Sequence, residues 1–392
     1  MIDDAAAVIE RPPDAVAPPR PGGLRAAARE LGATAAGAVR EWGRTASTRS
    51  FALYGAAALR IGTGALFLAM LLREYPNRNR LWGPRAAWSP GLDRAYARAT
   101  DWWGWLKAWY TLTATTDSWR FELSYVLMIL VALAFVLGWR TRLSAVLFML
   151  SVTASEGRNG LVADSGYLVL TIASVYLVFL RSGERWSLDA RRARRRAARC
   201  GPGRLGTGRT WPAAGVRAEL GEVRRRLTAL IHNCAVLGVA FQVCLIYGAN
   251  GLYKAQGQTW QDGSALYYSL RIRTLRPWPV LSDWLAGHGL IMTAVAYFTV
   301  FVEVGLPFVL FNRRLKYTFL AGLVAMHVGI AVVLALPWFS AIMIVIDAVL
   351  LPEAFWVAIG AGAAGLVARR RRGTARPGPG PTPTSSPGNR LT

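Results

Sequence analysis

Lysine is almost absent from this chain. Three of its 46 basic residues are lysines, Lys107, Lys254 and Lys316, and the rest are arginines. Acids are scarce as well: 22 Asp and Glu leave a formal charge of +24. Charged residues make up 17% of the chain, below the roughly 25% usual for soluble domains. Cysteine occurs three times, at Cys200, Cys234 and Cys244, with no CxxC pair. That excludes a disulfide framework and a thiolate metal site. Cys234 and Cys244 fall on one expected helix, about 15 Å apart along its axis, beyond the ~7 Å that a disulfide tolerates between Cα atoms. Histidine also occurs three times, with no metal-ligand spacing, so no metal is expected. A cleavable signal peptide is missing too, because residues 1–50 are rich in Ala, Pro and Arg and lack an apolar core. That segment is expected to be largely disordered and cytoplasmic.

Apolar residues, in contrast, make up 53% of the chain. They are concentrated in runs near the ~20 residues that a helix needs to cross the ~30 Å of bilayer hydrocarbon. Eight such runs are read, at 51–72, 121–138, 143–156, 166–180, 229–250, 290–311, 317–336 and about 339–360. The third and fourth are short for spans. Sixteen tryptophans and thirteen tyrosines suit the membrane–water interface. The expected fold is therefore all-α, a polytopic integral membrane helical bundle of about eight transmembrane helices. The spans 51–360 form its transmembrane domain, and 361–392 form a Pro/Gly/Ser/Thr-rich, disordered cytoplasmic tail.

The arginines set the orientation. "WRTR" (139–142), the loop 181–228 with "RRARRRAARC" and "RRRL", "NRRLK" (312–316) and "RRRR" (369–372) all fall on one side if the chain crosses eight times. The positive-inside rule makes that side, and both termini, cytoplasmic. Loop 73–120 is discordant, with eight basic residues on the opposite side. Within it, "DWWGWLKAWY" (101–110) reads as an interfacial helix. Arginines in loops between spans meet membrane lipids, so nucleic acid is not an expected partner.

Ionisable groups inside apolar spans are functional candidates by default. Arg60, Glu303, His327 and Asp347 are those groups. Arg60 is expected to pair with Glu303 or Asp347 as a buried ion pair that fixes helix register. Glu303 lies four residues before Pro307, which cannot donate to its carbonyl, so a kink is expected. His327 is either a hydrogen-bonded core group or a proton carrier. At the outer ends of spans three and four, Glu156, Arg158, Asn159 and Asp164 form a polar cluster. It suits an anionic head group or small substrate, or an ordinary turn. Lys254 sits at the outer mouth of span five. A snorkelling lysine is one reading. The other is a partly desolvated amine that acts as a neutral base, a role closed to arginine.

Several stretches resemble the HTTM membrane family, which includes the vitamin K-dependent gamma-glutamyl carboxylases. They are "YGANGLYKAQGQTWQDGSALYY" (247–268), "FVEVGLPFVLFNRRLK" (301–316), "MHVGIAVVLALPWFSAIMIVIDAVLLP" (326–352), "RNGLVADSGY" (158–167) and "LLREYPNRNRLWGP" (71–84). The likeness runs over about residues 50–355 and is greater to bacterial members, including relatives of the sporulation-delaying-protein B family. In the carboxylases a Gly-x-x-Lys stretch followed by Trp carries the catalytic base that deprotonates vitamin K hydroquinone. Gly251, Lys254 and Trp260 match it, with one extra residue before the tryptophan. The resemblance thus implies Lys254 as base; the enzyme reading adds His327 and Glu303 as assisting groups and Arg158, Asn159, Asp164, Trp260, Arg60 and Asp347 as candidates around the substrate. It implies a lipophilic quinol, such as menaquinol, as cofactor. The carboxylases' Asn-His pair is replaced here by Asp164-Ser165, and the large domain that follows their spans has no counterpart.

Three functions are therefore carried forward. The first is a carboxylase-like membrane enzyme acting on a quinol or lipid. The second is a non-catalytic accessory protein for export, maturation or immunity of a secreted peptide. The third, lowered by the lack of an inverted repeat, is a proton-coupled transporter. The Arg, Ala, Gly and Pro bias points to a high-GC bacterium and its plasma membrane.

Overall fold

The structure is a computed structural model that describes residues 21–99, 115–159, 164–199 and 212–373. The tryptophan-rich stretch 101–110, Cys200, residues 1–20 and the end of the tail lie outside the described residues, as do the expectations placed on them. Among the described residues every regular element is helical and no strand occurs. The longer helices are α1 (Pro21–Thr48), α2 (Leu53–Glu74), α3 (Ser118–Leu137), α4 (Thr141–Arg158), α5 (Ser165–Phe179), α6 (Leu188–Arg199), α7 (Pro212–Gln256), α8 (Gly289–Val309), α9 (Arg313–Val333), α10 (Pro337–Asp347) and α11 (Glu353–Gly373).

Five stretches are long and apolar enough to cross a membrane: Leu53–Leu81, Ser118–Leu137, Val216–Gln256, Gly289–Val309 and Arg313–Val333. A sixth is reached if α10 with the start of α11 counts as one span, although the two are bent by 113°. The α5 helix is apolar but only 15 residues long. The α4 helix carries Ser144, Ser151, Thr153, Ser155, Glu156 and Arg158, which dilute its apolar run. The outward faces suit hydrocarbon. In all five windows but the first, at most a third of the residues are buried inside the bundle. Leu127, Leu237, Phe241, Phe301 and Phe308 are each more than half exposed, an apolar belt far beyond what a water-soluble surface carries.

Three boundaries differ from the sequence reading. The N-terminal segment read as disordered contains α1, whose run "LRAAARELGATAAGAVREW" is rich in alanine, the strongest helix former. The basic loop before span five is helical from Pro212, so α7 runs unbroken for 45 residues. The last helix continues to Gly373.

Side-chain contacts gather the helix ends into two groups. At one end, Asn233 donates to the carbonyls of Ala46 and Arg49 and accepts from the Phe51 N–H. His232 accepts from the Arg181 N–H through Nδ1, so its Nε2 carries the proton and donates to the Phe51 carbonyl at 2.7 Å. At the other end, Tyr75, Trp82, Phe121 and Tyr125 cluster their rings. There Arg158 donates to the carbonyls of Gly83 and Trp88. The α2, α3 and α4 helices each run from one group to the other.

Arg60 belongs to the first group, which corrects the expected ion pair. It is fully buried and reaches neither Glu303 nor Asp347. Its Nη1 donates to the Phe135 carbonyl at 3.0 Å and its Nη2 to the Trp186 carbonyl at 2.7 Å. Phe135 lies in the last turn of α3, where its carbonyl accepts from the Gly138 N–H at 3.0 Å, and the buried guanidinium fills its second acceptor site. Gly138 makes room for it. Its φ is +67°, and a Cβ there would fall 2.1 Å from Arg60 Nη1. Asp189 then caps the next helix from a distance. It accepts from the N–H groups of Arg140 and Thr141 and from the Thr141 hydroxyl, at 2.7–3.1 Å. Burial pushes the Asp189 carboxyl up, but these bonds outweigh it and hold the group below its ordinary value.

Two outcomes follow. Gly138→Ala is expected to destabilise the protein by about 1–3 kcal/mol, the usual penalty for strained backbone, read as a lowered thermal midpoint in detergent. Asp189→Ala should lose about 1 kcal/mol of helix capping. Because the folded carboxyl is held low, that stability is complete above the unfolded value of ~3.9. It disappears as pH falls through the lower folded value. A pH series of unfolding midpoints for wild type and variant should therefore converge only at the acid end.

Candidate functional site

The site is built where α7 and α8 come closest. A Cβ on Gly251 would lie 2.9 Å from the Val304 nitrogen and 3.0 Å from Glu303 Cβ. Only glycine permits that approach. Further along the contact, Gly248 faces the Pro307 ring. The α8 helix continues through Pro307 to Val309, but the Glu303 carbonyl has lost its helical donor.

The approach places Lys254, one turn after Gly251, against Glu303. Lys254 Nζ donates to Glu303 Oε1 at 2.5 Å. The carboxylate side chain is 5% exposed and the lysine 23%. Lys254 Nζ also stands 5.2 Å from the ring centre of Trp260, which the short helix Gln258–Gln261 carries back over the end of α7. On its other side Trp260 lines a groove of about 560 Å³ between α7 and α8, walled by Leu252, Tyr297, Phe301 and Val304. The tryptophan thus adjoins both the charged pair and the apolar groove.

A second buried cluster adjoins the first. Tyr247, two helical turns before Lys254 on the same face of α7, donates its hydroxyl to Asp347 Oδ2 at 2.7 Å. Its oxygen lies 2.9 Å from His327 Nε2. With Asp347 ionised, the hydroxyl proton is committed to the carboxylate, so Nε2 carries a proton and donates to the tyrosine. All three residues are at most 3% exposed. Glu303 lies within electrostatic reach of Tyr247, and Lys254 of His327. Glu303 Oε2, His327 Nδ1 and Asp347 Oδ1 are buried without a hydrogen-bond partner among the described residues. Buried polar atoms are normally satisfied; these three lie in adjoining side chains, and others, Arg60 Nε and Arg158 Nε among them, lie elsewhere in the bundle.

The structure thus divides the residues read from the sequence. Lys254, Glu303 and Trp260 meet directly, and His327 and Asp347 meet through Tyr247. Arg60 is held elsewhere by backbone carbonyls. Arg158, Asn159 and Asp164 are also engaged in holding the fold. Besides the Arg158 bonds given above, Asn159 donates to the Leu81 carbonyl at 2.6 Å, and Asp164 caps α5 by accepting from the Tyr167 N–H. Their neighbour Glu156 accepts from the Thr171 hydroxyl at 2.5 Å. The turn itself, residues 160–163, lies outside the described residues. Among the described residues no group of three or more His, Cys, Asp or Glu could hold a metal ion. Tyr247 was missed because a tyrosine near a span end reads as an interface anchor. Its spacing of seven from Lys254 was the available signal.

No protein-family model, curated protein or solved structure matches this chain.

Replacing Tyr247 by Phe removes the bond that satisfies both Asp347 and His327. The expected loss is about 1–3 kcal/mol, the cost of stranding buried polar groups, read as a lower unfolding midpoint. Gly251→Val should be similarly destabilising, and it should detach Lys254 from Glu303, so that an amine-selective label modifies Lys254 faster.

Proposed function

We propose that the chain is an HTTM-type, multi-pass protein of a bacterial plasma membrane that acts on a lipophilic quinol or lipid, with Lys254 as the proton-accepting group. One observation carries the reading: Lys254 and its buried partner Glu303 stand behind Trp260 at the edge of an apolar groove that opens between two apolar helices. Eight crossings, with α4, α5 and the bent α10–α11 pair among them, put both termini on the cytoplasmic side. The end-to-end course of α2, α3 and α4 favours this topology, and so does the meeting of residues 46–60, 135–141, 181–189 and 232–233 at one end.

A quinol supplies an ionisable hydroxyl on a long apolar tail. The groove's apolar walls suit the tail, and the lysine stands against Trp260, which is one of those walls. The chain's residues then have distinct tasks. As an ammonium paired with Glu303, Lys254 holds a proton and is no base. Passing that proton across the 2.5 Å contact leaves a neutral amine beside a neutral carboxylic acid. The amine can then accept a proton from a hydroxyl, and Glu303 holds the displaced one. A desolvated lysine is suited to this exchange because its charge is readily lost on burial, whereas arginine keeps its proton. Tyr247, His327 and Asp347 extend the set of buried groups among which a proton can be placed, and Trp260 screens the pair from lipid.

Two replacements test the proposal. In proteoliposomes supplied with menaquinol, Lys254→Ala should lower turnover by about 10²–10⁴, the usual contribution of a positioned base. Lys254→Arg keeps the ion pair and should keep the unfolding midpoint, yet it should lose turnover to the same degree. Full turnover in Lys254→Arg would reduce the lysine to a structural partner of Glu303. Mass spectrometry of lipid retained after gentle purification identifies the occupant of the groove.

A further inference from the structure

The α7 helix is 45 residues long, about twice the length needed to cross a bilayer. Its first part, up to Leu227, precedes the apolar stretch and carries Arg217, Arg224, Arg225 and Arg226. Yet this basic part has an apolar stripe. Val216, Leu220, Val223 and Leu227 are each more than half exposed. Their spacing of 4, 3 and 4 is the heptad repeat of a coiled-coil seam, with leucine at the a positions and valine at d. The repeat does not end at the basic region: the next a position, one heptad after Leu227, is Cys234, which is exposed, and the d position between them, Leu230, is half-buried. The α1 helix packs against α7, and among the described residues nothing buries the stripe from Val216 to Leu227.

The residues flanking the stripe narrow what covers it. In this register Glu219 occupies a g position and Arg224 the following e position. A g residue meets the e residue five positions on in a neighbouring parallel helix. A second copy of α7, parallel and in register, therefore brings Glu219 of each chain to Arg224 of the next. Copies inserted in one membrane share an orientation, so the parallel arrangement is the one available to them. The projecting helix also has no proline that would turn its stripe down onto the bilayer. We infer that the face of α7 from Val216 to Cys234 is a self-association seam, about 27 Å long, through which copies of this chain assemble around a common axis. Leucine at a with a β-branched residue at d favours more than two helices, so a trimer or tetramer is the expected assembly.

Cross-linking of the full-length chain in membranes tests the inference. With Cys200→Ser and Cys244→Ser, Cys234 is the remaining thiol, and oxidation should join chains into a two-chain band on a non-reducing gel. Leu220→Asp with Leu227→Asp should reduce that band by about tenfold or more, given the apolar burial lost. Glu219→Arg alone should weaken the band by setting arginine against arginine, and Glu219→Arg with Arg224→Glu should restore it. These positions are exposed, so helical circular dichroism should not change. No band with the seam intact would overturn the inference, and so would a band insensitive to both the aspartate pair and the charge reversal. Native mass spectrometry of the purified chain provides the second measurement. A multiple of the chain mass supports the seam, whereas one chain bearing a different protein on the stripe overturns it.

Discussion

Hydrocarbon offers no hydrogen-bond partner, so every polar group carried into the apolar region must find one within the chain. The positions of the buried polar residues follow from that. Helix ends leave carbonyls with open acceptor sites, and at the two ends of this bundle guanidinium groups fill the need. Arg60 serves α3 and the loop before α6, and Arg158 serves the turn at Gly83 and Trp88. Arginine suits the task because its several donors lie in a fixed fork and its charge persists on burial. Asn159, His232 and Asn233 serve carbonyls in the same way with amide and imidazole donors, and the Asp189 carboxylate serves the N–H groups of Arg140 and Thr141. The chain's arginine habit is thus partly structural and not only a matter of orientation.

Against that background the region around Lys254 differs in the residue it uses. Three acceptor atoms there are buried without protein partners among the described residues, and a lysine replaces the arginine used elsewhere. An arginine at 254 would hold Glu303 with more bonds and a permanent charge. Lysine gives a weaker clamp, a single point charge on a flexible stem.

The helical class and the membrane character were legible because run length and composition report them directly. So were Lys254, Glu303, His327 and Asp347, since an ionisable residue in an apolar run stands out. Gly251 was legible as part of a spacing, but its reason, the approach of α7 to α8, needed coordinates. Arg60 was recognised and assigned the wrong partner. The sequence displays acids, whereas its partners are carbonyls, which every residue has and which carry no signal. The polar turn at 156–164 was ambiguous for a similar reason, because Arg158 and Asn159 bond to backbone some seventy residues away. The extent of α7 was hidden by its own charge. A run of arginines reads as a loop, although arginine is a good helix former and nothing in 212–228 breaks the helix after Pro212.

The α7 helix takes part in both halves of the molecule. At its far end it carries Lys254, and seven residues earlier Tyr247. At its near end it carries the basic turns, with His232 and Asn233 fastening it to residues 46–51 between the two. A continuous helix of 45 residues is a rod of about 65 Å. A rod does not bend to absorb a twist at one end. Any rotation about its axis at the arginine-bearing end turns the lysine by the same angle, and Gly251, pressed against Val304, leaves little clearance for it. The width of the opening beside Trp260 is therefore set in part by whatever holds α7 at its other end.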